Sequence, residues 1–165
     1  MKIAIISDTH DNLPNLIKAV SWIRKEKIKL IIHCGDVSNE DVLKEGLEGF
    51  SGRIYVARGN CDLGEFKKIA KLKIFDEFGE LKLVNKMVAF AHFPNIAKPL
   101  AQSAKYDVVF YGHNHKPWVE TLRSGSGRET KLANPGNLAG VFYKATFATY
   151  DTKTDKLELK ILERT

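Results

Sequence analysis

Apolar positions along this chain fall into two spacings. Short runs at Lys2–Ser7, Leu30–His33, Ile54–Ala57, Met87–Ala91 and Val108–Tyr111 predict buried strands. Between them, Leu13–Glu26 repeats at helical spacing. Leu16, Ile17, Val20 and Ile23 share one face, and Pro14 sits in the first turn, where proline is tolerated. Asn39–Leu47 predicts a second helix capped by Ser38 or Asn39, Leu63–Ala70 a short third, and Ile96–Lys105 a fourth that Pro99 weakens. The last third changes character. Trp118–Arg123, Glu129–Ala133, Phe142–Tyr150 and Leu157–Leu162 are strand-like, joined by the turn-rich segments Ser124–Gly127 and Asp151–Asp155. Strands alternating with helices early, and hairpins late, predict an α/β fold with a mixed sheet or two packed sheets and helices outside. The 165 residues show no repeat and no low-complexity linker, so the chain reads as one domain spanning 1–165.

Composition narrows the class. Hydrophobic residues make up 44% and charged residues 28%, as in ordinary globular proteins and unlike disordered chains. The N-terminal apolar run is too short for a signal-peptide core, and no stretch approaches membrane-spanning length. The expected location is the cytoplasm, with no membrane partner. The net charge of +6 permits nucleic-acid binding, but the basic residues are mixed with acids, as where Arg24, Lys25, Lys27 and Lys29 surround Glu26. A solvated helix face is the better account. Cys34 and Cys61 have no CxxC or zinc-finger spacing and read as free thiols. Trp22 and Trp118 read as core or interface residues, which leaves a homo-oligomer open.

The candidate chemistry lies where the apolar runs end. The first runs into Asp8-Thr9-His10, the second into His33-Cys34-Gly35-Asp36 and the third into Arg58-Gly59-Asn60-Cys61-Asp62. The Met87 run ends in His92, and the Val108 run in Gly112-His113-Asn114-His115. In open α/β sheets, sites form beyond the carboxyl ends of the strands, so parallel strands in one sheet would bring the clusters together. Carboxylate, amide and imidazole donors suit Mn, Fe, Zn, Co or Ni and do not make a thiolate or all-oxygen calcium site. Asp8, His10, Asp36, Asn60, His92, His113 and His115 are too many for one ion. Two ions sharing a carboxylate would use them all, and paired ions can clamp a phosphate and activate water.

Each cluster alone is weak, but the ordered set is specific. It resembles the calcineurin-like metallophosphoesterase superfamily, whose pattern is D-x-H, G-D, G-N-H-[D/E], a lone His and G-H-x-H. The match spans nearly the whole chain, and Asn134-Pro135-Gly136 is similar to a loop of the small single-domain prokaryotic phosphodiesterases. The resemblance implies a four-layered α/β/β/α sandwich with mixed central sheets. It also implies two divalent transition-metal ions per chain, commonly Mn, with Ni, Fe, Zn, Co or Mg as alternatives. One ion would take Asp8, His10, Asp36 and His115. The other would take Asp36, Asn60, His92 and His113, with Asp36 as the bridge. The implied activity is hydrolysis of a phosphodiester, with a metal-bridging hydroxide as nucleophile and a small phosphate ester as substrate. Asn60, Cys61 and Asp62 are the candidate catalytic residues, with Asp62 orienting its neighbours through hydrogen bonds.

The departures from the pattern are informative. Cys61 stands where many relatives carry a His that can protonate the leaving group, and a thiol is the weaker acid and poorer donor. Phe93 follows the lone His92 and could narrow the pocket. Asn137 ends a loop where Ser is familiar. His33 and Cys34 read as buried structural residues. Asn12 and Arg58 could contact phosphate, but a loop cap and a surface cation explain them equally well. A non-catalytic scaffold resembling the retromer subunit of vacuolar sorting is the alternative function, and a nuclease is a third. The complete ligand set favours the enzyme.

Overall fold

The computed structural model describes the chain apart from residues 65, 67 and 68. Among the described residues, eleven strands and three α-helices follow in the order β1 (Lys2–Ile6), α1 (Leu13–Lys25), β2 (Leu30–His33), α2 (Glu40–Gly46), β3 (Arg53–Ala57), β4 (Leu72–Phe75), β5 (Phe78–Leu83), β6 (Lys86–Ala91), α3 (Pro94–Gln102), β7 (Val108–Phe110), β8 (Trp118–Arg123), β9 (Glu129–Asn134), β10 (Thr146–Asp151) and β11 (Lys156–Ile161). One sheet has the order β11-β10-β1-β2-β3-β4, the other β5-β6-β7-β9-β8. Both are mixed. β1 to β4 run parallel, with β10 antiparallel to β1. β6, β7 and β9 run parallel between antiparallel β5 and β8.

The period-two alternation of each strand explains the layering. Ala4 and Ile6 of β1, Ile31 of β2, and Ile54 and Val56 of β3 face α1 and α2, where they meet Leu16, Val20, Ile23 and Leu43. Ile3, Ile5, Leu30 and Ile32 face the other way and meet Val88, Phe90, Val108 and Phe110 of the second sheet. Ala89, Ala91 and Val109 then face Ala97 and Ala101 of α3. Three apolar interfaces between helix, sheet, sheet and helix make the expected α/β/β/α sandwich. Among the described residues, no helix is long and apolar enough to cross a membrane.

The observed elements depart from the expected ones at four points. The helix expected over Leu63–Ala70 falls partly on residues 65, 67 and 68, outside the described residues, and the rest of the segment is not helical. β4 and β5 were not anticipated. The strand expected from Phe142 starts at Thr146, and residues 137–145 form a loop beside the candidate site. The fourth predicted helix starts earlier, at Pro94, because proline suits a first helical turn.

Candidate metal centre

The strand-end clusters converge because β1, β2 and β3 are parallel neighbours and β6, β7 and β9 are parallel neighbours on the facing sheet. Beyond the strand ends the loops stay zipped by main-chain bonds. The Asp8 N–H donates to the Gly35 carbonyl (2.9 Å), His10 N–H to Asp36 (3.0 Å), and Gly112 N–H to His92 (3.0 Å). The 137–145 loop joins the same zipper, with Leu138 N–H on the Ser7 carbonyl (2.9 Å) and Ala139 N–H on Asp8 (3.0 Å).

The backbone at these positions is unusual. Asp8, His10, Asp36, His113 and His115 all have positive φ, between 41° and 70°. Left-handed backbone is uncommon outside glycine, and strain of this kind concentrates at functional sites. It turns each side chain back over its strand end toward the others. Gly35 is needed for a related reason. Its φ is +94°, and a Cβ there would lie 2.6 Å from His92 Nδ1 and 2.9 Å from the Ala57 carbonyl oxygen.

Among the described residues, three sets of donor atoms gather within 4.8 Å of one another: Asp8, His10 and His115; His10, Asp36 and Cys61; and Asp36, His92 and His113. Asp36 Oδ2 is 3.7 Å from His10 Nε2 and 3.4 Å from His92 Nε2, so one carboxylate faces both imidazole groups. His115 Nε2 is 3.4 Å from Asp8 Oδ1 and 3.1 Å from His10 Nε2. Asn60 Oδ1 lies 3.2 Å from His92 Nε2, beside the set of Asp36, His92 and His113.

The chemistry of these contacts fits a cation. His92 Nδ1–H donates to the Cys34 carbonyl at 2.8 Å, which leaves Nε2 as a lone pair in the neutral ring. That lone pair converges with Asn60 Oδ1, with Asp36 Oδ2 and with His113 Nδ1 at 3.2 Å. Acceptors facing one another are stable only around a proton or a metal ion, and a His held by a carbonyl through its other nitrogen is a common ligand arrangement. Burial pushes the Asp8 carboxyl up to about 7, so its ionised form calls for a compensating positive charge. Burial also lowers His113 and His115, which favours neutral rings with free lone pairs. Burial opposes ionisation of Asp36 too, but hydrogen bonding to His92 and to the Cys61 N–H outweighs it and holds the carboxyl at about 2.

Matching residues 1–155, the model of the calcineurin-like phosphoesterase superfamily domain covers most of the chain. The chain belongs to the calcineurin-like phosphoesterase superfamily. It is similar to Phosphodiesterase MJ0936 of Methanocaldococcus jannaschii, at 32% identity over 99% of this chain and 100% of that one. Among solved structures, an archaeal phosphodiesterase superposes with a TM-score of 0.85 at 30% identity, over 98% of this chain and 99% of that one. YfcE, a phosphoesterase from E. coli, shares the fold at a TM-score of 0.71 and 19% identity, over 98% and 100% of the two chains.

The other residues singled out in this superfamily member take distinct places. Asp62, expected among the catalytic residues, is buried and spent on the main chain. Its Oδ1 accepts from Val37 N–H (2.7 Å) and Ser38 N–H (2.8 Å), and its Oδ2 from Asp36 N–H (2.9 Å) and Gly59 N–H (2.8 Å). It ties the Asp36 loop to the Asn60 loop. Cys61 donates its N–H to Asp36 Oδ1 at 2.9 Å, and burial, followed by the charge of Asp36, pushes its thiol up. His33 is buried against Thr9 Oγ1 at 2.8 Å, with its Nδ1 accepting from Gly35 N–H, and burial lowers it to about 4. Asn12 caps α1 by accepting from Asn15 N–H (3.1 Å). Arg58 binds Asp76 and the Asp62 carbonyl, a structural use. Phe93 packs edge-on against His92 and His113, with centroids 4.7 and 5.1 Å away. Pattern reading singled out Asn137, whose Nδ2 donates to the His115 carbonyl (3.0 Å), but took Phe142 as the start of a strand, whereas it lies in a loop beside the His115 ring. A cleft of about 790 Å³ lies at the opposite ends of the strands, beside Lys2, Leu30 and Arg53, and none of the candidate ligands lines it.

Proposed function

We propose that this chain is a phosphodiesterase working with two divalent ions, Mn first among Ni, Fe, Zn, Co and Mg. Asp8, His10, Asp36 and His115 hold one ion, and Asp36, Asn60, His92 and His113 the other. The observation that carries the reading is the Asp36 carboxylate, set within 3.7 Å of His10 and 3.4 Å of His92 so that it can serve both groups at once. Bound there, the ions supply Lewis acidity toward the phosphoryl oxygens and lower the pKa of water. The chain's own contribution is to hold the donors in place and, by burial, to favour the neutral rings of His113 and His115. The Cys34 carbonyl sets the His92 tautomer, the Asp8 carboxylate accepts from His113 N–H at 3.1 Å, and Asn137 steadies His115. Asp62 positions the bridge from below through the main chain. Cys61 stays a protonated thiol at the mouth of the site and is a weak proton donor to a departing oxygen.

Similarity over full length to a protein named a phosphodiesterase supports diesters over monoesters. The complete donor set supports an enzyme over a scaffold. The test is a screen of metal-reconstituted protein against phosphodiesters, monoesters, cyclic nucleotides and oligonucleotides. Diester turnover that needs added metal and stops with chelator is expected. Monoester turnover alone, or none, would overturn the reading.

A further inference from the structure

The rim of the centre carries apolar side chains that folding does not explain. Phe142 is 89% exposed and Leu63 is 92% exposed, and both lie in loops adjoining the candidate ligands. Val141 and Tyr143, beside Phe142, are also exposed. A phenyl ring left in water contributes nothing to the core. Packing is therefore not the reason for Phe142, whereas the half-buried Phe93 does pack, against His92 and His113.

The loop that carries Phe142 is held in place. Phe142 has φ +64°, a left-handed backbone that is a genuine outlier for a bulky residue. The conformation is held from Asn137, whose Oδ1 accepts from Gly140 N–H (2.6 Å) and Val141 N–H (3.1 Å). The same Asn137 side chain donates to the His115 carbonyl, and Asn12 and Asn15 donate to the carbonyls of Ala139 (2.9 Å) and Leu138 (2.7 Å). The ring is thus set relative to His115, with centroids 6.2 Å apart and planes inclined at 45°. Phe142 and Tyr143 also line a cleft of about 510 Å³ with Asn15 and Lys18, room for a group as large as a nucleoside.

We propose that Phe142 is a stacking platform that selects diesters carrying an aromatic arm, a nucleobase or an aryl ring, beside the phosphate held at the centre. The proposal rests on the phosphodiesterase reading above. A phosphodiester has two arms, and one of them must leave the centre past its rim. An exposed, prepositioned ring there gains contact area only when a flat group covers it, and stacking on an aromatic face is tolerant of the identity of that group.

Three substrates with one leaving group separate this from the chemistry: methyl p-nitrophenyl phosphate, bis(p-nitrophenyl) phosphate and thymidine 5′-p-nitrophenyl phosphate. Wild type is expected to show higher kcat/KM for the two aromatic diesters. In Phe142→Ala the ratio of aromatic to methyl kcat/KM should fall about tenfold, chiefly through KM, and Phe142→Trp should keep it. Loss for the thymidyl ester alone identifies a nucleoside arm, and loss for the bis-aryl ester alone an aryl arm. An unchanged ratio overturns the proposal, including the case where all three rates fall together. So does a change in oligomeric state on gel filtration with the ratio intact, which would make Phe142 a protein contact. If no diester is hydrolysed, the phosphodiesterase reading fails by itself. Calorimetric binding of diphenylphosphinate against dimethylphosphinate then decides the platform. A preference for the phenyl compound that Phe142→Ala removes supports it, and equal binding overturns it.

Discussion

Replacing Asp62 by Asn should break the centre without touching a proposed ligand. Each carboxylate oxygen of Asp62 accepts two main-chain N–H bonds, all between 2.7 and 2.9 Å. Asparagine keeps one oxygen and therefore two of the four bonds. Its NH2 group would face the other two N–H donors. Hydrogen bonds to a charged group are worth about 1.5–3 kcal/mol each, so the loss is about 3–6 kcal/mol. That is a large part of the roughly 5–15 kcal/mol that holds a domain folded. At about 2–4 °C per kcal/mol for a domain of this size, the melting temperature should drop by about 6–24 °C. The released segments carry Asp36 and adjoin Asn60, so metal affinity should weaken about 10–100-fold. The assay is thermal melting in chelator, followed by Mn titration of the same protein. A normal melting temperature and metal affinity with collapsed turnover would return Asp62 to a catalytic role.

Two further outcomes follow from the same geometry. Cys61→His should flatten the dependence of rate on leaving-group pKa across a graded series of diesters. Wild type should be steep because general-acid help, worth about 10²–10⁴-fold, is weak from a thiol. Equal slopes in the two proteins would place proton delivery elsewhere. At the far pole, burial raises the Asp155 carboxyl, but hydrogen bonds from Lys131, Tyr150 and Lys86 outweigh it and hold the group at about 2, below its ordinary 3.8. A folded value below the unfolded one gives stability that is present above pH 3.8 and lost as pH falls through about 2. The melting gap between wild type and Asp155→Asn should therefore be constant near neutrality and close as the pH is lowered from about 4 to about 2. A gap that persists at the acid end would mean that packing, not charge, carries the effect.

Much of the centre was legible because each ligand cluster directly follows an apolar run. A buried strand that stops at Asp8, Asp36, Asn60, His92 or His113 says where polar groups gather, and parallel pairing then brings them together. What pattern could not reach depends on tertiary context. β4 and β5 mix their apolar positions with Lys73, Glu80 and Lys82 because they are edge strands, paired with a neighbouring strand on one side only. Val141, Phe142 and Tyr143 are strand formers by type, yet Asn137 holds their backbone in a loop. The role of Asp62 was half-legible. Its place after Asn60 and Cys61 suggested orientation, but four main-chain donors contributed by two loops leave no trace in spacing. Nor does sequence announce positive φ at Asp8, His10, Asp36, His113 and His115.

Asp36 is proposed to serve two ions at once. Elemental analysis of Mn-saturated protein, with anomalous scattering from its crystals, measures this directly. Two ions per chain are expected in wild type, one on each side of the Asp36 carboxylate. Asp36→Asn, folded by circular dichroism, should lose metal and diester turnover together. A single ion in saturated wild type with His92 and His113 turned away, or an Asp36→Asn protein with unchanged metal content and turnover, would contradict it.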